Sequence, residues 1–271
     1  MSAPETLIQT IWRDIRAVRE KAPLIVNITN YVVTNNTANS LLALGASPAM
    51  SHVAEDLPGL VNLAGALVVN IGTLADDYVV GMHAAMARAN DMGMPIVLDP
   101  VAAGVNALRT DISRKFLEKY HPAILRGNAS EIMAVAGEDG KPKGVDTFMG
   151  VDEAKGAAKA LNERYGCVVL VSGETDLVVG KNRETRLAGG SAMMPRVTGL
   201  GCTCTALAGA FAAIQPDFFQ AAVDTAAVMN MAGEQAAEVS PGPGSLQMHF
   251  HDALYLLDED TVRARLKVVA E

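Results

Sequence analysis

Short runs of β-branched and other apolar residues alternate with helical segments along most of the chain, and this alternation constrains the fold most. Such runs occupy residues 24–28, 66–71 and 96–98, and apolar residues recur at helical spacing between them. Strands of this kind, separated by helices, form parallel sheets that helices cover on both faces. The sequence therefore predicts an α/β fold with a mostly parallel central sheet. No linker or shift in composition interrupts the pattern, so we predict a single domain over residues 1–271.

The predicted elements have ordinary start and stop residues, and two stretches depart from strict alternation. A hairpin is predicted from strands at 176–179 and 184–187, which turn at Gly180-Lys181-Asn182. After Gly201 the chain is predicted to be mostly helical, over 202–214, 218–239, 245–257 and 260–269. The other predicted helices span 34–44, 54–64, 76–92, 109–119, 130–136 and 151–164, and the other strands span 46–50, 123–125 and 167–171.

Charge and cysteine content exclude several classes of protein. The formal net charge is −8, whereas nucleic-acid-binding proteins usually carry a basic face. The N-terminal segment is polar and helical, without a signal-peptide core, and the apolar runs are too short to cross a bilayer. Three cysteines are too few for a disulfide framework, which fits a reducing compartment. We therefore expect a cytoplasmic protein that binds neither nucleic acid nor membranes.

A glycine-rich segment, Val197-Thr198-Gly199-Leu200-Gly201-Cys202, precedes an apolar run of small residues. This pattern predicts a turn that enters a buried helix, whose first backbone N–H groups form a site for anions. Glycine lets the backbone approach a ligand closely. A thiol at a helix start has a lowered pKa, so Cys202 is expected to have thiolate character. A glycine turn before a core helix with an inert cysteine explains the same residues equally well.

Two acidic residues follow predicted strands. Asp99 comes directly after the strand at 96–98, and Glu131 lies three residues after Asn128, beyond the strand at 123–125. Ligands of α/β folds bind outside the carboxyl ends of the strands. Carboxylates there suit Mg²⁺, which prefers oxygen ligands and often keeps several waters. Asn128 and Glu131 also match a capping box, so a purely structural role for Glu131 remains an alternative.

Three further residues have both a functional and an ordinary interpretation. Arg126 follows a strand, where its guanidinium would clamp phosphate oxygens, but a surface ion pair is the ordinary role of an arginine. Ser172 ends a later strand, where ligands of α/β folds bind, but a plain turn is its ordinary interpretation. Met50 ends the strand at 46–50, and most methionines only fill the core.

Together these motifs resemble the hydroxyethylthiazole kinase family, over residues 23 to 257. The motifs that carry the resemblance are Asn30-Tyr31-Val32, the asparagine-rich stretch 35–39, Leu42 to Met50, Asn70-Ile71-Gly72-Thr73, Leu98-Asp99-Pro100-Val101, Arg126-Gly127-Asn128-Ala129-Ser130-Glu131 and Gly242-Pro243-Gly244-Ser245. The resemblance implies a ribokinase-like fold and a homotrimer with sites between subunits. It also implies transfer of the γ-phosphoryl group of ATP to 4-methyl-5-(2-hydroxyethyl)thiazole in thiamine salvage.

The resemblance assigns a role to each candidate residue. It implies that Met50 and Gly199 contact the thiazole alcohol, that Arg126 and Ser172 contact ATP, that Asp99 and Glu131 organise Mg²⁺, and that Cys202 lies next to the reacting hydroxyl. There Cys202 is the candidate catalytic residue, and its expected thiolate would take the proton of that hydroxyl. One position departs from the family pattern, because Leu200 stands where a threonine is usual. This change leaves the backbone of the anion site intact but removes a hydroxyl donor.

Three other functions compete with this one. A related ribokinase-like enzyme, such as a hydroxymethylpyrimidine kinase or a nucleotide-repair dehydratase, would carry aspartate in place of Cys202. A non-catalytic protein that binds thiazole or thiamine would not need Asp99, Arg126, Glu131 and Cys202 together. A hydrolase with Cys202 as nucleophile would need an activating base, and no histidine lies beside a predicted strand end.

Overall fold

The computed structural model describes residues 3–137 and 151–269, in which nine strands form one sheet. The strands are β1 Leu24–Ile28, β2 Ser47–Met50, β3 Ala66–Asn70, β4 Ile96–Asp99, β5 Ile124–Asn128, β6 Val168–Ser172, β7 Thr175–Gly180, β8 Arg183–Ala188 and β9 Lys267–Val268. Their order is β2-β1-β3-β4-β5-β6-β7-β8-β9. The first six are parallel and the last three add antiparallel pairs. The predicted mostly parallel sheet is confirmed, and a single domain over 1–271 remains our prediction.

Eleven α-helices accompany the sheet within the described residues. They are α1 Ala3–Lys21, α2 Thr34–Leu44, α3 Leu57–Val61, α4 Asp76–Asp91, α5 Ala107–Tyr120, α6 Ala129–Ala136, α7 Val151–Tyr165, α8 Leu200–Ala212, α9 Phe218–Glu238, α10 Pro243–Leu256 and α11 Glu259–Arg265. Most agree with the predicted bounds to within one or two residues. The helix predicted over 54–64 is shorter than expected.

The predicted helix over 260–269 is wrong at its end. Helix α11 stops at Arg265, and Lys267–Val268 instead forms β9 on the outer side of β8. The partners are Leu187 with Val268 and Ala188 with Lys267. This pairing joins residues about eighty positions apart, so local periodicity could not reveal it.

The two faces of the sheet are packed into two separate cores. Side chains alternate along each strand, so that Ile25 and Val68 belong to one core while Val26 and Leu67 belong to the other. The first core lies under α1, α2 and α8 to α10, and the second lies under α3 to α7. Helices therefore cover both faces, as predicted.

Helix α8 lies directly against the middle of the sheet because its residues are small. It contacts β1, β3, β4 and β5. A Cβ atom added at Gly209 would lie 2.5 Å from Cγ2 of Val68 and 3.1 Å from Cγ2 of Ile25. Such contacts are closer than packed carbon atoms tolerate. Glycine at this position thus lets the helix approach the strands closely.

Among the described residues, no helix combines the length and apolar character required to cross a membrane.

Candidate active site

The start of α8 lies at the carboxyl ends of the central strands, and two glycines shape it. Gly199 is the N-cap residue and has a left-handed backbone with a φ angle of 88°. A Cβ there would lie 2.4 Å from Cγ1 of Val33, so both conformation and space require glycine. A Cβ at Gly201 would lie 2.8 Å from Nη1 of Arg126. The first N–H groups of α8 and the guanidinium of Arg126 therefore lie next to each other, where the sequence predicts an anion site.

Arg126 lies inside β5 and is buried, so the alternative of a surface ion pair is wrong. Its Nη2 donates to Oγ of Ser172 at the end of β6, and its Nη1 lies 3.9 Å from Oδ2 of Asp99. Its Nε–H group is buried without a hydrogen-bond partner. Burial opposes the charge, but neighbouring acidic groups, Asp99 among them, raise the pKa of Arg126 above its usual value. The side chain is thus a permanent cation that keeps a buried, unused donor at Nε.

A cleft of about 780 Å³ opens beside this arginine. Arg126, Ser172 and Gly199 line it, and so do Asp176 and Asn230. The volume lies in the range of pockets that hold small ligands and cofactors. The structure therefore brings the two predicted ATP-binding residues together with the glycine turn. Met50, Asp99, Glu131 and Cys202 lie outside the lining of this cleft.

Asp99 ends β4 and is completely buried behind the start of α8. Its Oδ2 accepts hydrogen bonds from Nδ2 of Asn70 at 2.8 Å and from Oγ1 of Thr205 at 2.7 Å. Its Oδ1 is buried and has no partner. Burial raises the pKa of Asp99, and Arg126, Thr205 and Asn70 oppose that shift. One oxygen of this carboxylate is fixed and the other is unused.

Glu131 has its side chain occupied by backbone groups. Its Oε2 accepts from the N–H of Asn128 at 2.9 Å, and its Oε1 accepts from the N–H of Ala102 at 2.8 Å. The side chain of Asn128 accepts in return from the N–H of Glu131, which completes the capping box at the start of α6. Burial and the nearby charge of Asp99 raise the pKa of Glu131. The capping geometry that the sequence offered as an alternative is therefore present.

Cys202 lies in the first turn of α8, but its thiol does not have the expected thiolate character. Burial first, and the charge of Asp99 second, raise its pKa to about 11. The expectation of a lowered pKa was wrong, because desolvation of the thiolate outweighs the favourable helix N-terminus. Nδ2 of Asn30 lies 3.5 Å from Sγ of Cys202. The thiol is thus protonated at neutral pH.

Met50 ends the edge strand β2 and is half-buried. The loops that follow β1 and β2 and the first turn of α4 form an aromatic and apolar patch at the same end of the sheet. In this patch the rings of His52 and Tyr78 are stacked at 4.1 Å, and Tyr31 meets Tyr78 edge-on. Tyr31 and Val32 are mostly exposed. Met50 therefore lies beside an exposed patch rather than in the cleft.

The structure adds polar residues that the sequence did not single out as site residues. Asn70 and Asn30 connect Asp99 to Cys202, Thr205 contacts Asp99 from α8, and Asp176 lines the cleft. Both asparagines stand at or just after strand ends, within the motifs that carry the family resemblance. Their position at the strand ends is the feature of the sequence that could have identified them as site residues.

A divalent cation fits the residues around Asp99. The unused, buried Oδ1 of Asp99 is an oxygen acceptor of the kind that Mg²⁺ prefers. Within residues 3–137 and 151–269, no group of three or more His, Cys, Asp and Glu residues could hold a metal. A cation here would therefore depend on few protein oxygens and on those of a bound phosphate, as is usual for Mg²⁺.

Known proteins with similar sequences and folds identify the family of this chain. The model of the Hydroxyethylthiazole kinase family matches residues 15–260. A hydroxyethylthiazole kinase of Syntrophus aciditrophicus (strain SB) is 51% identical over 263 residues, which cover 97% of each chain. The solved hydroxyethylthiazole kinase protein of Pyrococcus horikoshii is 39% identical, with a TM-score of 0.89 and coverage of 96% of this chain and 98% of that chain. Pyridoxal kinase of Staphylococcus aureus, at 14% identity, a TM-score of 0.62 and coverage of 79% of this chain and 88% of that chain, shares the fold alone. The expected ribokinase-like fold is confirmed.

Proposed function

Because the chain belongs to the hydroxyethylthiazole kinase family, we propose that it transfers the γ-phosphoryl group of ATP to the hydroxyl of 4-methyl-5-(2-hydroxyethyl)thiazole. One observation supports this chemistry most directly. Arg126 keeps an unused, buried donor at Nε, and Asp99 keeps an unused, buried acceptor at Oδ1. An anion satisfies the first and a cation satisfies the second, which is the combination that a metal–nucleotide complex supplies.

We propose that Asp99 holds Mg²⁺ through Oδ1, directly or through water. Bound there, the ion would neutralise charge on the phosphate oxygens of ATP. Glu131 would add negative charge behind Asp99, and a water-mediated contact from Glu131 to the ion remains a prediction. Each of its oxygens already accepts one backbone N–H, and a carboxylate oxygen can accept more than one hydrogen bond.

The residues of the cleft would bind and orient the nucleotide. The free N–H groups at the start of α8 and the guanidinium of Arg126 would hold the charge that develops on the transferred group. Ser172 would keep Arg126 in place through the hydrogen bond to Nη2. Phosphoryl transfer needs positioning and charge neutralisation more than a strong base. This requirement fits a site whose nearest thiol is protonated.

Cys202 would lie beside the hydroxyl of the substrate. With a pKa of about 11 its thiol cannot remove a proton from that hydroxyl at neutral pH. We therefore propose that Cys202 positions the hydroxyl, which loses its proton late in a loose transition state. Gly199 would contact the same alcohol from the turn before α8.

We further propose a homotrimer in which Met50 of one subunit and Gly199 of its neighbour share one substrate. The exposed patch beside Met50, which includes Tyr31 and Val32, supports this arrangement. Exposed apolar patches of this kind often mark interfaces. The use of ATP and the free cysteines of the described chain fit a cytoplasmic location.

The activity is tested by release of ADP from ATP and Mg²⁺ with a panel of thiazole and pyrimidine alcohols. We expect turnover with the hydroxyethylthiazole, loss of turnover when a chelator removes Mg²⁺, and recovery when the metal is restored. Turnover with the pyrimidine alcohol alone would assign the chain to a different kinase activity.

The shared site is tested by mixing two inactive variants. Light scattering should first give a mass of about three times 28.4 kDa. Met50→Arg and Asp99→Asn subunits, each with strongly reduced activity alone, should regain activity when co-expressed, because some sites then receive both intact residues. A fully active protein with the mass of one chain would refute the trimer.

A further inference from the structure

We propose that Asn70 and Thr205 are positioning residues for Asp99, and that they fix one of its oxygens so that the other remains available to a ligand. This inference rests on the proposed function and extends it to residues that do not touch the substrate. Both residues are buried, and they approach Asp99 from different elements, β3 and α8. They donate to the same atom, Oδ2, at 2.8 and 2.7 Å.

The orientation of the Asn70 amide is determined by its other contacts. Its Oδ1 accepts from the backbone N–H of Gly72 at 2.9 Å and from Nδ2 of Asn30 at 3.0 Å. A backbone N–H can only donate, so the carbonyl oxygen of Asn70 must face Gly72. The amide nitrogen must then face Asp99. Asn70 is therefore a donor to the carboxylate by necessity.

The single proton of the Thr205 hydroxyl also points to Asp99. Oγ1 lies 2.7 Å from Oδ2 of Asp99 but 3.3 Å from the carbonyl oxygen of Gly201, one turn earlier in α8. A hydroxyl has one proton to donate, and the shorter contact is the stronger hydrogen bond. Two donors thus converge on Oδ2, and none among the described residues reaches Oδ1.

These two hydrogen bonds prevent Asp99 from rotating. The terminal torsion of an aspartate is broad, so the side chain alone does not fix the carboxylate plane. Nη1 of Arg126 lies 3.9 Å from Oδ2, just beyond a close ion pair. Without the donors, the carboxylate is free to turn toward the guanidinium. The cation site and the anion site would then neutralise each other instead of binding a metal–nucleotide complex.

Asn70 also links Asp99 to the acceptor side of the site. Nδ2 of Asn30 contacts both Oδ1 of Asn70 and Sγ of Cys202, at 3.0 and 3.5 Å. The same amide that orients Asp99 therefore fixes the residue that touches Cys202. Loss of Asn70 is expected to weaken metal binding and also to lower kcat. Loss of Thr205 is expected mainly to weaken metal binding.

Mn²⁺ binding in the presence of a non-hydrolysable ATP analogue tests this inference without relying on activity. Thr205→Val keeps the shape of the side chain but removes the donor, Thr205→Ser keeps the donor, and Asn70→Ala removes the amide. Thr225→Val is the matched control, because Thr225 is equally buried but donates to the carbonyl oxygen of Ala221 in its own helix. Thermal unfolding of each variant reports whether it folds, and steady-state kinetics give the Mg²⁺ requirement.

Thr205→Val and Asn70→Ala should weaken Mn²⁺ binding about 10- to 100-fold, the usual effect of removing a partner of a metal ligand. Thr205→Ser and Thr225→Val should bind Mn²⁺ like the wild type. If Asn70→Ala does not fold, the Mn²⁺ affinity of Thr205→Val alone tests the inference. If Thr205→Val binds Mn²⁺ as tightly as Thr225→Val and the wild type do, the inference is overturned. This holds even if the wild-type protein phosphorylates the thiazole alcohol. A wild type that binds Mn²⁺ but phosphorylates no thiazole alcohol would instead refute the proposed function.

Discussion

The end of β4 and the start of α6 each carry a buried carboxylate at the same edge of the sheet, but the two differ in how their oxygens are used. At the end of β4, both hydrogen bonds to Asp99 go to Oδ2, and Oδ1 has none. At the start of α6, Glu131 uses one oxygen for each of two backbone N–H groups. Both carboxylates have a raised pKa, chiefly because they are buried.

This difference shows that burial and charge do not by themselves identify a ligand-binding carboxylate. Glu131 closes the turn of its own helix, a role that needs no ligand. Asp99 leaves an acceptor unpaired in the interior, which is costly unless a ligand satisfies it. We therefore expect the loss of Asp99 to affect mainly activity, and the loss of Glu131 to affect mainly stability.

Asp99→Asn should have the largest effect on activity. The oxygen of the new amide can still accept from Asn70 and Thr205, which places the amide nitrogen, a donor, where the unused acceptor was. We expect kcat to fall about 10²–10³-fold, as for other groups that stabilise transition-state charge, with an unchanged or higher melting temperature. Steady-state kinetics and calorimetry check this. Wild-type kcat in the variant would mean that Oδ1 has no role.

Cys202→Ala should lower kcat less than Asp99→Asn does, although Cys202 lies near Asp99. Because burial and Asp99 raise the pKa of the thiol to about 11, it contributes no general base near neutral pH. We expect kcat to fall about 10-fold, below the 10² to 10⁴ typical of a general base. The pH profiles of wild type and variant between pH 7 and 9 should be parallel. A pH dependence that disappears in the variant would show that the thiol does act as a base.

Glu131→Gln should lower stability more than activity. The glutamine amide has one acceptor oxygen, so one of the two backbone N–H groups loses its partner, and unfolding should become easier by about 1 kcal/mol. We expect kcat to fall less than in Asp99→Asn, because Glu131 would reach the ion only through water. Asn128→Ala removes the other half of the capping box and should destabilise the protein to a similar extent. A large fall in kcat with unchanged stability would instead make Glu131 a metal ligand, as the family resemblance implies.

Asp176 extends the comparison to a third buried carboxylate, and its loss should have the smallest effect on kcat. Both oxygens are bonded, to the N–H of Gly173 and to Nδ2 of Asn230. Burial raises its pKa to about 6, above the value of about 3.9 in an unfolded chain. The native state therefore binds the proton more tightly, and the free energy of unfolding should fall as pH rises from about 4 to 6, by at most about 3 kcal/mol.

Asp176→Asn removes this titration while the other buried carboxylates remain in both proteins. The difference in unfolding free energy between wild type and variant should therefore change across that pH range and be constant above it. Denaturant unfolding at a series of pH values measures the difference. A constant difference from pH 4 to 7 would contradict the raised pKa.

The sequence predicted those features whose signals are local. Helix α2 has its predicted bounds because Gly45 supplies a left-handed stop, and the hairpin of β7 and β8 turns where the glycine and asparagine predicted it. Strand β9 depended on pairing with a distant strand and was missed. The ends of the strands and the glycine turn were enough to predict that Asp99 and Arg126 lie close to the start of α8.

The remaining features of the site depended on the surroundings of each side chain. The pKa of Cys202 was expected to fall because only its position in a helix was known, and burial reversed the sign. Asn70 and Thr205 carry no charge and match ordinary strand and helix positions, so nothing in their own sequence distinguishes them. Their significance comes from the one carboxylate oxygen that both contact.

The close approach at Gly209 has a consequence far from where it occurs. Gly209 is eight residues after Gly201, which corresponds to about 12 Å along the axis of α8. The absence of a side chain at Gly209 lets α8 pack closely against Val68 and Ile25. A methyl group at residue 209 would push this part of α8 away from the sheet. Because α8 is one continuous helix, this displacement would also change the position of its start relative to Arg126, so we expect nucleotide affinity to depend on residue 209, which lies outside the cleft.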